Sequence, residues 1–185
     1  MNGQSFQSLI HTFTTCVVMI AALCDLKSRR IPNVLTVPAI VMGLSAHTIH
    51  SGWSGLAFSL WGLMLGGGLF LLFHLIGAMG AGDVKLMGGI GALLGLAPMV
   101  PVLILTGIIG GFMAMGKIAI WYARRYAARR AALKTGTLAE HIGDEISGFR
   151  PGESPPLKQT IPYGVAIAAG TLITLIMHIA AGGIS

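Results

Sequence analysis

Long uncharged apolar blocks, separated by short polar joints, make up most of this chain. The first block runs from about Phe6 to Leu26 and ends in Lys27-Ser28-Arg29-Arg30. The second runs from Asn33 to about His50, with Pro32 and Pro38 near its start, where a helix tolerates proline. A third covers Trp53 to about Gly77, and a fourth begins near Gly82 and ends before Pro98. A fifth covers about Pro101 to Tyr122, and a sixth about Pro162 to Ala181. Apolar residues fill these blocks instead of recurring as stripes, which predicts helices embedded in a bilayer. Residues 86–116 carry no charge. One helix there would be over-long for a hydrocarbon core about 30 Å thick, and Pro98 and Pro101 favour a turn between two helices. The expected architecture is an all-α integral membrane bundle of about six helices, forming a single domain over residues 1–185.

The placement of charge supports the same count. With two spans between 86 and 116, all 12 Lys and Arg residues face one compartment, the cytoplasm by the usual bias of basic loops, and both termini face the other. Residues 123–160 then form one cytoplasmic loop between helices five and six. Arg124, Arg125, Arg129 and Arg130 continue the fifth helix into the headgroup region. Thr137-Leu138-Ala139-Glu140 has capping-box spacing, and Leu138, Ile142 and Ile146 recur as on an amphipathic helix. Pro151, Pro155 and Pro156 end it in an extended linker, so the loop reads as a solvated segment lying against lipid. Membrane lipid is accordingly an expected partner.

Composition narrows the function classes. The chain is 54% hydrophobic and 10% charged, against about a quarter charged in soluble domains. Its net charge is +6, but no aromatic-interleaved basic patch is present, so no nucleic-acid partner is expected. Cys16 and Cys24 both fall in the first apolar block and read as small helix residues. No basic residue precedes that block and no small-x-small site follows it, so it reads as a retained span. Gly62/Gly66, Gly91/Gly95 and Gly107/Gly111 have the spacing that lets membrane helices approach closely.

Six residues are acidic, and four of them, Glu140, Asp144, Glu145 and Glu153, lie in the hydrophilic loop. Asp25 and Asp83 differ, because each sits at the edge of an apolar span. A carboxylate at membrane depth costs about 2.5 kcal/mol or more, so it calls for a partner or a function. The predicted topology delivers both to one depth on the cytoplasmic side. Two carboxylates sharing a pocket cannot both ionise easily, and a pair holding one proton suits aspartic proteolysis. Gly80-Ala81-Gly82-Asp83 surrounds the second acid with small residues, which lets a substrate strand come close. The bland alternative is ion pairing, of Asp25 with Lys27 or Arg29 and of Asp83 with Lys85. The six histidines, His11, His47, His50, His74, His141 and His178, show no ligand spacing near the aspartates, so neither a metal nor a cofactor is expected.

Three segments together resemble one family. Gly80-x-Gly82-Asp83-x-Lys85 matches the GxGD signature of the type IV prepilin peptidases. The segment from Asp25 to Ile31-Pro32-Asn33 resembles that family's first-aspartate motif, and Ile161-Pro162-Tyr163-Gly164 resembles the Pro-Tyr-Gly segment that opens its last helix. The resemblance implies a bacterial inner-membrane aspartic endopeptidase with Asp25 and Asp83 as catalytic residues and no metal in the chemistry. Gly80, Gly82, Lys85, Pro32, Asn33, Pro162, Tyr163 and Gly164 are its expected supporting residues. The implied substrate is a prepilin or pseudopilin precursor, cut after a glycine at the cytoplasmic face. Pilus assembly machinery is an implied partner. Larger members insert a zinc-binding domain between the first two helices, where this chain has only the joint from Lys27 to Pro32. It resembles the short form associated with Flp, or tight-adherence, pili, which puts N-methyltransferase activity in doubt.

Two other classes use similar features. A proton-coupled transporter also needs intramembrane acids, but near the midplane and with access from both sides. A non-enzymatic scaffold of a pilus or secretion machine would tolerate Asp→Asn changes.

Overall fold

The computed structural model describes residues 3–28, 31–77, 79–135 and 163–180. All regular elements among the described residues are α-helices: α1 (Gly3–Ser28), α2 (Asn33–Leu75), α3 (Ala81–Leu94), α4 (Leu96–Thr135) and α5 (Tyr163–Ala180). Among the described residues four helical segments, Gly3–Ser28, Asn33–Leu75, Leu96–Ala127 and Tyr163–Ala180, are long and apolar enough to cross a membrane. The chain is therefore an all-α membrane protein. It divides into two compact units, residues 1–110 with 160–185 and residues 111–159. In the second unit, Arg125 lies over the Trp121 ring and Arg130 over the Tyr126 ring. The amphipathic segment expected near 137–146 lies outside the described residues. Every described candidate site residue belongs to the first unit.

In α1 the buried positions Phe6, Ile10, Thr14, Val18, Ala21 and Asp25 recur every three or four residues and form one face. That face packs along α5. Hydroxyls buried between the two helices are satisfied within their own helix, as in Thr14 to the Ile10 carbonyl and Thr174 to the Gly170 carbonyl. Such bonds matter in a membrane helix, because lipid offers no replacement partner.

α2 runs for 43 residues but is not straight. At Gly52 the backbone takes φ 60° and ψ −137°. A Cβ on Gly55 would fall on the carbonyl of His47, whereas eight residues of straight helix separate such groups by about 12 Å. The chain thus reverses at Gly52, at the joint expected between the second and third apolar blocks. Both limbs pack on α3 through glycine: Gly43 against Ala92 and Leu93, and Gly62 against Gly91 and Gly95. These contacts explain the spacing of Gly62 and Gly91. They do not extend to Gly107, around which a Cβ would meet nothing within 4 Å among the described residues.

α3 has 14 residues and a length of about 21 Å, which is shorter than a bilayer core. The turn after it sits at Gly95, with φ 78°, and not at the prolines. Gly95 is required there twice, because the Phe58 ring also occupies the space a Cβ would take. Pro98 falls in the first turn of α4, where its missing N–H has no intrahelical partner to lose, and Pro101 follows inside the helix. Pro98 therefore marks the start of a helix and not its boundary turn.

Candidate active site

Asp25 sits near the end of α1 and is only 4% exposed. Its Oδ2 accepts a hydrogen bond from the backbone N–H of Gly164, at 2.8 Å and 139 residues away. Gly164 stands in the first turn of α5, where backbone N–H groups lack intrahelical acceptors and the helix dipole favours an anion. The approach requires glycine. A Cβ on Gly164 would lie 2.8–3.0 Å from Oδ2, Cβ and Cγ of Asp25. The Pro-Tyr-Gly segment thus has a physical reason for its last residue.

Asp83 is the third residue of α3 and is 6% exposed. Its Oδ2 reaches back to the N–H of Gly80, the N-cap residue, at 3.3 Å, which is one half of a capping box. Gly80 is closely approached as well, since a Cβ would stand 3.3 Å from the same oxygen. Gly82 lies against Ile31, whose side chain would be 3.2 Å from an added Cβ. The segment carrying Asp83 therefore rests on the segment that follows Asp25.

These contacts bring the two acids into one site. Asp25 and Asp83 lie within electrostatic reach of each other. Tyr163, half-buried and next to Gly164, lies within electrostatic reach of Asp83, and its ring packs where a Cβ on Gly110 would come 3.1 Å away. The start of α5 thus bonds Asp25 through a backbone amide and places the Tyr163 phenol within electrostatic reach of Asp83.

Lys85 does not serve as the partner of Asp83. Its ammonium donates to Oδ1 of Asn33 at 3.0 Å, joining residues 52 apart. This bond links the first turns of α2 and α3 on the exposed side of the site. Pro32 precedes α2 in an extended conformation that no helix interior would allow, with φ −71° and ψ 140°. Pro162 lies outside the described residues. Ile31 was part of a quoted motif but carried no polar atom to single it out, and its role against Gly82 is one of contact alone.

A groove of about 570 Å³ opens elsewhere, among Phe6, His47, His50 and Phe58, about 28 Å along α1 from Asp25. No acid lines it. The carboxylate chemistry and this groove are therefore separate features. Among the described residues no group of three or more His, Cys, Asp or Glu side chains could hold a metal ion.

Comparison with known proteins agrees with the geometry. The model of the type IV leader peptidase family matches residues 12–115, which take in Asp25, Ile31-Pro32-Asn33 and Gly80 to Lys85. A prepilin leader peptidase/N-methyltransferase from Aeromonas hydrophila is 32% identical over 111 residues, covering 56% of this chain and 38% of that protein. The match spans well under half of that relative's length. No solved structure matches the chain at a comparable level. With the family model matching more than half of its residues, across both aspartate-bearing segments, the chain belongs to the type IV leader peptidase family.

Proposed function

We propose that this protein is an intramembrane aspartic endopeptidase that removes the short basic leader from a prepilin or pseudopilin precursor, with Asp25 and Asp83 as its catalytic residues. One observation carries the reading: two buried carboxylates, from helices far apart in sequence, lie within electrostatic reach, and each accepts a helix-terminal amide. Such a pair shares one proton, since the second ionisation is opposed by the first charge. The ionised member takes a proton from water as the water oxygen attacks the scissile carbonyl. The protonated member donates to the carbonyl oxygen, and a proton passes to the leaving amine as the intermediate collapses. Tyr163, at the edge of the pair, is suited to contact the substrate near Asp83.

In this reading α1, the two limbs of α2, α3, α4 and α5 make six passes. The carboxylates lie at the cytoplasmic face of the inner membrane, and residues 1–185 form one peptidase domain with a cytoplasmic loop near 123–160. The joint of Lys27 to Pro32 leaves no room for an inserted zinc-binding domain, which supports the short, Flp-type form. The N-methyltransferase activity in the relative's name is not carried over. Lipid at the basic loop and the pilus assembly machinery are the proposed partners. The family match disfavours a transporter or a scaffold.

The test is co-expression with a tagged prepilin from the same genome, followed by mass spectrometry of the pilin. Wild type, Asp25→Asn and Asp83→Asn are compared at equal membrane levels. Leader removal by wild type alone is expected, with the new N-terminus unmethylated. Processing that survives either substitution removes the dyad mechanism.

A further inference from the structure

α3 presents an unusual problem for a membrane protein: it ends while buried. Ala92, Leu93 and Leu94 are 0–4% exposed, yet the last four carbonyls of any helix lack partners of their own. An unpaired carbonyl in a low-dielectric interior is costly, and lipid cannot repair it. Three of the four are satisfied individually. The Gly91 carbonyl accepts from the N–H of Gly95 at 2.8 Å. The Ala92 carbonyl accepts from the hydroxyl of Ser59 at 2.6 Å. The Leu93 carbonyl lies 2.8 Å from Nε2 of His47. A carbonyl oxygen can only accept, so Nε2 carries the proton and His47 acts as a donor.

Both side chains are buried, and they come from opposite limbs of α2, on either side of the reversal at Gly52. The hairpin grips the carbonyl end of α3 from two sides. Asp83 stands in the first turn of the same helix, about 15 Å away. A helix this short moves as a rod, so whatever fixes its C-terminus along the axis also fixes Asp83.

We propose that His47 and Ser59 are positioning residues for the reaction, setting the depth and rotation at which Asp83 faces Asp25. The inference rests on Asp83 being one of the two catalytic carboxylates. It gives a functional reason for a histidine remote from the site, and for a serine inside an apolar block.

The experiment uses the full chain in lipid nanodiscs, with a purified prepilin as substrate. It compares wild type with Ser59→Ala, His47→Leu and His47→Gln, whose amide nitrogen stands where Nε2 did. Rates of leader removal are measured beside amide exchange over residues 3–28 and 81–94. Ser59→Ala and His47→Leu are expected to lower kcat by about 10- to 100-fold, the scale of a small misplacement of a reacting group. KM should change by less than about twofold. Exchange should rise along α3 through Asp83 and stay unchanged in α1, and His47→Gln should recover both readouts. Unchanged kcat in Ser59→Ala and His47→Leu overturns the proposal. So does a loss that His47→Gln does not recover and that comes with faster exchange in α1, the mark of general loosening. If His47→Leu does not yield monodisperse protein, Ser59→Ala decides by the same criteria. Processing that survives Asp83→Asn strikes the catalytic reading alone. In that case raised exchange at the Asp83 end still supports the hold on α3, and unchanged exchange overturns it.

Discussion

The N–H of Gly164 donates to Oδ2 of Asp25 across 2.8 Å, so the start of the last helix is fastened to the end of the first by the carboxylate itself. A methyl group at 164 cannot be accommodated without displacing that carboxyl, because its carbon would lie 2.8–3.0 Å from three Asp25 atoms. Gly164→Ala is therefore expected to reduce leader removal by about 100-fold, the effect of moving a reacting group by about 1 Å. Gly68→Ala, where nothing among the described residues stands within 4 Å, should keep full activity. Processing rates at equal membrane levels check this, and an active Gly164→Ala would separate Asp25 from the start of α5.

The bond between Lys85 and Asn33 predicts a coupled pair. Both side chains are exposed, so the bond is worth about 0.5–1.5 kcal/mol and each truncation should slow processing only several-fold. Asn33→Leu and Lys85→Met should not add, since either one removes the whole interaction. Asn33→Asp keeps an acceptor for the ammonium and should remain near wild type. A double-mutant cycle on leader removal tests the pair, and strictly additive losses would refute it.

A residue's own chemistry stands out in a sequence, whereas its partner in the fold does not. Asp25 and Asp83 were legible because a carboxylate beside an apolar span is costly enough to need a reason. The all-helical membrane class followed from uncharged blocks too long for a soluble core. His47 and Ser59 were not legible, because their partners are backbone carbonyls 46 and 33 residues away, which no side-chain pattern marks. The sequence offers Lys85 to Asp83 only as the bland alternative to catalysis, and the fold gives it Asn33. Pro98 and Pro101 suggest the turn because proline breaks helix interiors, yet the turn sits at Gly95, Pro98 fits a first helical turn and Pro101 lies inside α4. Small residues four apart announce close approach without saying to what. Gly62 meets Gly91, while Gly107 meets nothing within 4 Å among the described residues.

That last contrast is itself testable. A Cβ on Gly62 would fall on the Gly91 carbonyl, and a Cβ on Gly91 on the Gly62 carbonyl, so the limb and α3 meet backbone to backbone. Neither backbone can yield as a side chain would. Gly62→Ala and Gly91→Ala should each cost at least about 1–3 kcal/mol, the range for overpacked interiors. Gly107→Ala should bring no loss. Thermal unfolding in one detergent compares the three, and equal midpoints would show that α2 and α3 are not locked by these glycines.

The reversal at Gly52 makes a prediction of opposite kind, since space is not the obstacle there. Among the described residues nothing lies within 4 Å of a Cβ at 52, as at 68, so packing alone would give Gly52→Ala and Gly68→Ala the same outcome. The backbone separates them. Gly68 is helical, and alanine there should gain about 0.5–1 kcal/mol by helix propensity. Gly52 holds φ 60° with ψ −137°, a region that side-chain-bearing residues rarely enter, and alanine should lose about 1–3 kcal/mol. Asparagine, which tolerates the left-handed helical region, should not recover the loss, because that region needs ψ near +47°. The same change at two open glycines should therefore shift the unfolding midpoint in opposite directions. If both rise, the chain does not need the reversal at residue 52, and the grip of α2 on α3 would have to be formed in another way.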